Sequence, residues 1–487
     1  MNRKRKLLAI LSVFILLLAS CSTLAVDDSK QSEIKQMLSV ENYDKAIAAI
    51  NAIRDNYGDP VLFNLDMGMI SFYSGEYDVS LLCFHEAEQQ LAENRKASVS
   101  EGIGGAITND YAKAYAGEGY EDLYTTTFNA LSYYKLGKFE DALVAIRQAE
   151  VKLRDYQINM KAQSNGFMKT LMTLSDLVSL NSTDMNRLIR DEVHGGKEVL
   201  DFHGSAFSTY LSMILYREAG KYDDARVDYD RLAGNKDKQV RSLYLSLLKE
   251  SGRSLDDVKI PWSKTDIKPA AGKERVNFIS FDGIIHAKEE AATYAVMGLQ
   301  AKGGGGKSIL HKVSWPVIKR GPQDVWITSI TVECSDGQKT QLGLLEDVTS
   351  LAQSAVAMSA DTKFLGSFYR GAMKMATAVK TADVEYDQAI TEADKLHGLL
   401  RNISYETAAV AYMASLDAVN ESEYADLRMG MFFPNRISAG GFDLAAGTYD
   451  FTVTYTFSNG AHKVRHVDGV EIGGEKNNNI QIISCAG

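Results

Sequence analysis

The sequence predicts a multidomain α + β protein, in which a helical repeat array precedes a β-rich domain that carries a helical insertion. Two patterns indicate this class. Apolar residues recur at helical spacing over residues 33–255, whereas alternating apolar and polar residues mark strands over 275–487, except at about 345–420. The composition is globular, with 45% hydrophobic and 24% charged residues among 487, and only six prolines favour long helices.

The first 21 residues have the pattern of a secretion signal. A basic start precedes an apolar stretch at 7–18 that is too short to span a bilayer, and the sequence LASC follows at 18–21. This ending resembles a bacterial lipobox, which implies cleavage before Cys21 and lipidation of its thiol. Ser22 resembles an outer-membrane sorting residue. A plain secretory signal or an N-terminal anchor helix is the alternative.

The implied partner of the lipid is a membrane. The implied location is the bacterial cell envelope, at the outer membrane, facing either the periplasm or the surface. Residues 22–32 are expected to be a polar tether between the lipid and the first helix.

A repeated motif lies within residues 33–255. The phrases LGKFEDA at 136–142 and AGKYDDA at 219–225 are near-copies, and each places a glycine between two helical patterns. With the related frame around Gly75, this spacing resembles the tetratricopeptide (TPR) helix–turn–helix signature. The later units lie 62 and 83 residues beyond their predecessors instead of 34. An unrelated helical bundle with similar turns therefore stays open.

The TPR resemblance implies a concave surface that grips a protein or peptide partner. Tyrosine suits such a surface because it buries a large area at low entropy cost. The implied groove residues are Phe72, Tyr73, Tyr124, Thr127, Tyr134, Tyr210 and Arg217. The alternative is that these side chains belong to the core or contact the C-terminal half.

Residues 256–274 are predicted to link the helices to the β-rich domain. Within that domain, the phrase LAAGTYDFTV at 444–453 resembles an immunoglobulin-like or carbohydrate-module-like β-sandwich. Aromatic residues at alternate positions of this region motivate a second function, that of a carbohydrate- or peptidoglycan-binding accessory lipoprotein with a glycan as partner. These residues are Tyr449, Phe451, Tyr455 and Phe457.

Three cysteines follow Cys21. Cys334 and Cys485 lie in strand-like sequence, and an oxidising periplasm would permit a disulfide between them. Two buried thiols are the equal alternative.

No constellation in the sequence points to catalysis, a cofactor or a metal. The stretch KGGGGKS at 302–308 resembles a phosphate-binding loop, but Ala301 replaces the first glycine and a strand pattern follows it. His462 and His466 would lie ~13 Å apart on a strand, too far for one metal. A net charge of −10 without a basic stripe disfavours nucleic acid. The sequence therefore predicts neither an enzyme nor a nucleotide-binding protein.

The order of these features is similar to an uncharacterised family of bacterial lipoproteins with a TPR-like helical N-terminal half and a mixed β C-terminal half. Short motifs carry the resemblance, among them FYRGAMKM at 368–375 and Phe433-Pro434. It implies architecture and location but no established activity, and Arg370, Asp426 and Arg428 are interpreted as structural ion-pair members. Our leading hypothesis is a lipid-anchored scaffold or assembly protein whose helical array binds a protein or peptide partner.

Overall fold

A computed structural model describes most of the chain. The described residues are 28–100, 111, 113–155, 187, 189–194, 204–234, 260–300, 306–320, 325–395, 399–474 and 479–485. The predicted lipidation site, Cys21, lies outside them. Helices precede strands, which confirms the α + β layout. The first helix begins at Asp28, inside the segment that was expected to be a tether.

Helical hairpins make up the N-terminal half. The helices are α1 (Asp28–Ser39), α2 (Tyr43–Ala52), α3 (Pro60–Ser74), α4 (Tyr77–Ser100), α5 (Gly119–Lys135), α6 (139–155), α7 (Ala206–Glu218) and α8 (Tyr222–Gly234). Short turns join α1 to α2, α3 to α4, α5 to α6 and α7 to α8, so the two helices of each hairpin run antiparallel.

Glycine ends the first helix in three of these hairpins. Gly75, Gly137 and Gly220 have φ angles of +85°, +73° and +69°, in the left-handed region that glycine enters without steric cost. In each turn the following N–H reaches back five residues, as from Lys138 to the carbonyl of Tyr133 at 2.9 Å. This is the Schellman motif. The near-copies LGKFEDA and AGKYDDA therefore fold into the same helix-ending turn.

Helix α3 begins at a side-chain cap and packs closely on α4. The Asp59 carboxylate accepts the N–H of Val61 at 2.9 Å, and Pro60 occupies the first helical position. Further along, Gly68 lies flat against the ring of Phe84, where an added Cβ would come within 2.6 Å of the ring. The small residue therefore sets the distance between the two helices.

The strands of the C-terminal half form two sheets. They are β1 (Glu274–Asp282), β2 (Lys288–Gln300), β3 (Gly306–Ile318), β4 (Ile327–Cys334), β5 (Lys339–Asp347), β6 (Arg436–Leu444), β7 (Gly447–Phe457), β8 (His462–Ile472) and β9 (Ile480–Cys485). The larger sheet has the order β8–β7–β4–β5–β6–β1–β9, with β1 and β9 parallel and the other neighbours antiparallel.

The seven-stranded sheet curls around its own apolar cluster. Phe278, Phe451 and Val453 lie in that cluster. The two edge strands approach each other, since Arg465 on β8 donates to the carbonyl of Ser484 on β9 at 3.2 Å. An immunoglobulin-like sandwich would divide these strands between two sheets, but here all seven are hydrogen-bonded in one.

The remaining strands and two long helices form a second unit, which we call the arm. Its parts are the β2–β3 hairpin, α9 (Val348–Ala393) and α10 (Leu399–Glu421). At 1.5 Å per residue, the 46 residues of α9 extend about 69 Å. Trp315, Phe364 and Phe368 lie in the arm's own core, where α9 packs on β3 and on α10 and contacts β2 only slightly. Both helices fall in the stretch predicted to be a helical insertion.

The helical half and the larger sheet share one continuous core. This cluster contains Phe72 and Phe128 from the helices, Phe281 from β1 and Phe433 from the segment before β6. The segment predicted as a linker, 256–274, is described from residue 260, and its Asp266 is fully buried. The two halves therefore pack directly against each other and are not separated by an exposed linker.

Candidate functional site

The residues predicted to line a partner-binding groove do not face solvent. Tyr73 is partly buried, and the other six are buried: Phe72, Tyr124, Thr127, Tyr134, Tyr210 and Arg217. The prediction of an open groove at these positions is wrong. The alternative, that these side chains contact the C-terminal half or the core, describes their surroundings.

Aromatic rings from the C-terminal half fill the space between the helices. The Phe281 ring lies 5.6 Å from Phe72, 5.2 Å from Phe128 and 5.5 Å from Phe207, measured between ring centroids. Phe433 lies 6.0 Å from Tyr124. Such pairs contribute about 0.5–1.5 kcal/mol each beyond the buried area. The helices thus bind this protein's own strand β1 and the segment before β6.

The Tyr124 hydroxyl is engaged by a buried carboxylate on β5. It donates to Glu346 Oε2 at 2.6 Å, and Ser205 donates to the same oxygen at 2.6 Å. Glu346 Oε1 accepts the N–H of Ala206 at 2.8 Å. The carboxylate therefore lies at the N-terminus of α7, where the helix dipole favours a negative charge. Burial nevertheless raises the pKa of Glu346.

Arg217 and Tyr210 are held in an internal polar network. Arg217 donates to Asn277 Oδ1 at 2.8 Å and pairs with Glu218 at 2.6 Å. Asn277 Nδ2 in turn donates to the Tyr210 hydroxyl at 2.6 Å and to Asp266 Oδ1 at 2.7 Å. The guanidinium therefore connects α7 to β1 and to the buried part of the predicted linker.

The other groove positions are also used internally. The Tyr134 hydroxyl accepts the N–H of Asn479 at 3.0 Å, just before β9. Thr127 bonds the carbonyl of Leu123 at 2.8 Å, within its own helix. Tyr73 donates to the carbonyl of Phe432 at 3.0 Å. These polar tips bind backbone groups of this chain, which leaves them unable to serve a partner.

A cluster of buried charges lies where the arm begins. Glu118 Oε1 accepts from Lys288 at 2.6 Å and from Lys363 at 2.7 Å. Burial alone would raise the pKa of Glu118, but the two ammonium groups overcome it and hold the pKa at about 2. Lys288 also donates to the carbonyl of Arg428 at 2.9 Å. The cluster joins α5 to the arm and to the segment after α10.

Two further carboxylates hold that segment by its backbone. Glu121 Oε1 accepts the N–H of Gly430 at 2.7 Å, and Asp66 Oδ1 accepts the N–H of Met431 at 2.6 Å. The second oxygen of Asp66 accepts from the Tyr57 hydroxyl at 2.9 Å. Burial raises the pKa of both carboxyls, that of Asp66 to about 7. Because every oxygen has a donor, the arrangement serves to clamp the chain.

Residues interpreted as structural ion-pair members do form ion pairs. Arg370 Nε contacts Glu423 at 2.9 Å inside the arm, and both side chains are buried. Arg428 contacts Asp426 at 2.8 Å. These two interpretations are confirmed.

Of the two alternatives left open for Cys334 and Cys485, the structure has the pair of buried thiols. Cys334 and Cys485 are buried thiols that are not bonded to each other. They lie on β4 and β9, with three strands between these two in the sheet.

The rings that motivated a glycan-binding face belong to the core of the curled sheet. Phe451 and Tyr455 are buried, and Tyr449 and Phe457 pack against the same cluster. The Tyr455 hydroxyl hydrogen-bonds Ser280 at 3.1 Å. The expectation of a solvent-facing array of rings is therefore wrong. The glycan-binding hypothesis, which depended on these rings, is no longer supported by them.

The other candidate positions named from the sequence show no ligand-binding or metal-binding arrangement among the described residues. The loop 302–308 is described only from residue 306, where β3 begins as a strand. His466 and His462 contact Thr452 and Thr456 on the neighbouring strand. Across the described residues, no group of three or more His, Cys, Asp and Glu side chains could hold a metal.

The arm, in contrast, exposes large apolar side chains. On the hairpin, Tyr294 is 60% exposed, Val296 59% and Leu310 56%. On α10, Val410 is 68% exposed and Met413 56%. The sequence signal for these positions was two runs without charged residues, 291–299 and 407–416. We define Val410 and Met413 as the α10 patch.

Comparison of the chain with protein-family models, with curated proteins and with solved structures gives no match. Among the described helices, none is both long enough and apolar enough to cross a membrane.

Proposed function

We propose that this protein is a lipid-anchored scaffold of the bacterial cell envelope that binds a protein partner through its arm. The N-terminal signal with Cys21 supports the anchor, and Ser22 supports a location at the outer membrane. The helical hairpins, with their repeated glycine turns, support a TPR-type relationship for the N-terminal half. No catalytic role is proposed.

One observation carries the choice of surface. The concave side of the helices is filled by the protein's own residues, whereas Val410 and Met413 lie three positions apart on one exposed face of α10. Exposed apolar residues grouped in this way are typical of protein-interaction sites. The run 407–416 around these two residues contains no charged residue, as in the centre of many interfaces.

A photo-crosslinking amino acid placed at Val410 or Met413 in living cells tests this function. We expect one discrete adduct with an envelope protein from each position. Leu82 on α4 is the matched control, because it is apolar and 72% exposed but lies outside the arm. Absence of adducts from the α10 patch, or the same adduct from Leu82, would contradict the proposed surface.

The anchor is tested separately by labelling with radioactive palmitate. We expect incorporation into the full-length protein and its loss in Cys21→Ala. Labelling that persists in Cys21→Ala would remove the lipid anchor from the proposal and leave the arm untouched.

A further inference from the structure

The outer edge of β3 is covered by the arm's helices. The N–H of Lys312 donates to Asn420 on α10 at 2.9 Å, and the N–H of Ser314 donates to Ser367 on α9 at 2.9 Å. Both backbone groups therefore point away from β2. Two residues that lie directly opposite each other in an antiparallel pair either hydrogen-bond each other through their backbones or both turn their N–H and C=O groups away from each other.

The outer edge of β2 follows from this register. The β3 residues just described pair with Tyr294 and Ala292, so the backbone groups of these two also point outward. Lys288 fits the same alternation, because its outward N–H meets Met429 Sδ at 3.2 Å. Beyond that contact, no described residue hydrogen-bonds the outward groups of Ala292, Tyr294 and Val296. Within the described part of the chain, this stretch of the edge is open.

The other sheet edges among the described residues are protected against pairing with a further strand. The helices cover β3, and β8 carries Lys463 and Arg465, which pair with Glu41. On β9, the Ile480 carbonyl accepts from Lys135 at 3.4 Å. Charge and coverage of this kind normally prevent strands from pairing edge to edge. The run 291–299 on β2 contains no charged residue.

We propose that a second copy of this chain binds at the open edge, β2 pairing antiparallel with β2 across a two-fold axis. The two hairpins then form one four-stranded sheet. The register places Tyr294 opposite Val296 of the second copy, on the face that is now exposed. Aromatic and β-branched side chains are favourable cross-strand neighbours, and Leu310 extends the apolar stripe.

Charge placement favours a second copy as the occupant. The charges of β2 lie only at its base, at Lys288, Glu289 and Glu290. In the antiparallel pair Glu290 of each copy falls opposite Gln300 of the other, so the carboxylates of the two copies do not face each other.

The helices also leave enough room. Because α9 packs on β3 and contacts β2 only slightly, the two copies of α9 would be separated by three strand spacings, about 14 Å. Packed helices need only 8–10 Å. By this measure the two copies of α9 do not collide.

The native mass of the full-length protein, extracted in mild detergent, tests the pairing. We expect a dimer for the wild type and a monomer for Ala292→Pro. Proline removes an outward N–H and leaves the β2–β3 ladder intact. Ala292→Thr keeps that N–H and is the matched control, expected to remain dimeric. Circular dichroism verifies that both variants fold.

Cysteine crosslinking in intact cells tests the register independently of detergent. Tyr294→Cys combined with Val296→Cys in one chain should give a disulfide-linked dimer, because opposed hydrogen-bonded residues have Cα atoms about 5.5 Å apart. Leu82→Cys should give none. A wild-type monomer, a dimer that survives Ala292→Pro, or a 294/296 crosslink to a different protein would each overturn the proposal.

Discussion

Buried carboxylates connect the two halves at the scale of single residues. Glu346 from the sheet accepts backbone N–H groups of α7, while Asp66 and Glu121 from the helices accept those of Gly430 and Met431. Each carboxylate accepts hydrogen bonds from backbone N–H groups that are shielded from water and would otherwise have no acceptor. Leaving such a donor unsatisfied costs about 1–3 kcal/mol. These residues therefore specify how the halves meet.

Asp66 gives stability a defined pH dependence. Burial raises the pKa of its carboxyl from 3.8 to about 7, so the folded state holds this proton where the unfolded state has lost it. The contribution is complete below about pH 4 and is lost as the pH rises through 7. We expect the free energy of unfolding in urea to fall between about pH 4 and 7.

The neutral variant Asp66→Asn should reduce that fall, because an amide does not titrate in this range. Some decline remains, since burial also raises the pKa of Asp282 to about 7. An identical pH profile for the wild type and Asp66→Asn would show that Asp66 is ionised in the folded protein.

At the scale of elements, strand β1 belongs to two cores. Ile279 and Phe281 pack against the helices, whereas Val276 and Phe278 pack inside the curled sheet. A strand that is buried on both faces gives a nearly continuous apolar run, here VNFISF at 276–281. The run identifies the strand but not the element that covers each face.

Phe281→Ala tests the filling of the helical groove. Loss of a fully enclosed phenylalanine ring is expected to lower the free energy of unfolding by about 3–5 kcal/mol. Leu82→Ala, at an exposed apolar position of α4, should change it by less than about 0.5 kcal/mol. A small effect of Phe281→Ala would mean that the helices and β1 are not packed as described.

The whole molecule is expected to unfold as one unit, because its halves share a core. The three tryptophans, Trp262, Trp315 and Trp326, all lie in the C-terminal half, so their fluorescence reports on that half. Far-UV circular dichroism is dominated by helices. The urea midpoints of the two signals should coincide. A helical transition clearly separated from the fluorescence transition would contradict a shared core.

How far the sequence could predict the candidate site depends on the range of the interactions. Tyr124 and Arg217 lie on helices α5 and α7, which helical periodicity can predict because it is local. Their partners, Glu346 and Asn277, lie 222 and 60 residues away in the chain. Periodicity contains no information on such contacts, so an apolar helix face looks the same whether a partner or the chain itself covers it.

The sequence by itself determined the local features: the helix-ending glycine turns, most of the strands and a helical stretch within the β-rich half. These follow from backbone sterics and from hydrogen bonds within a few residues. Only the tertiary structure decided that the groove is filled, that Cys334 and Cys485 stay apart and that the seven strands form one sheet. These outcomes depend on strand order and on which segments cover each apolar surface. Both are decided by contacts between residues that are far apart in the chain.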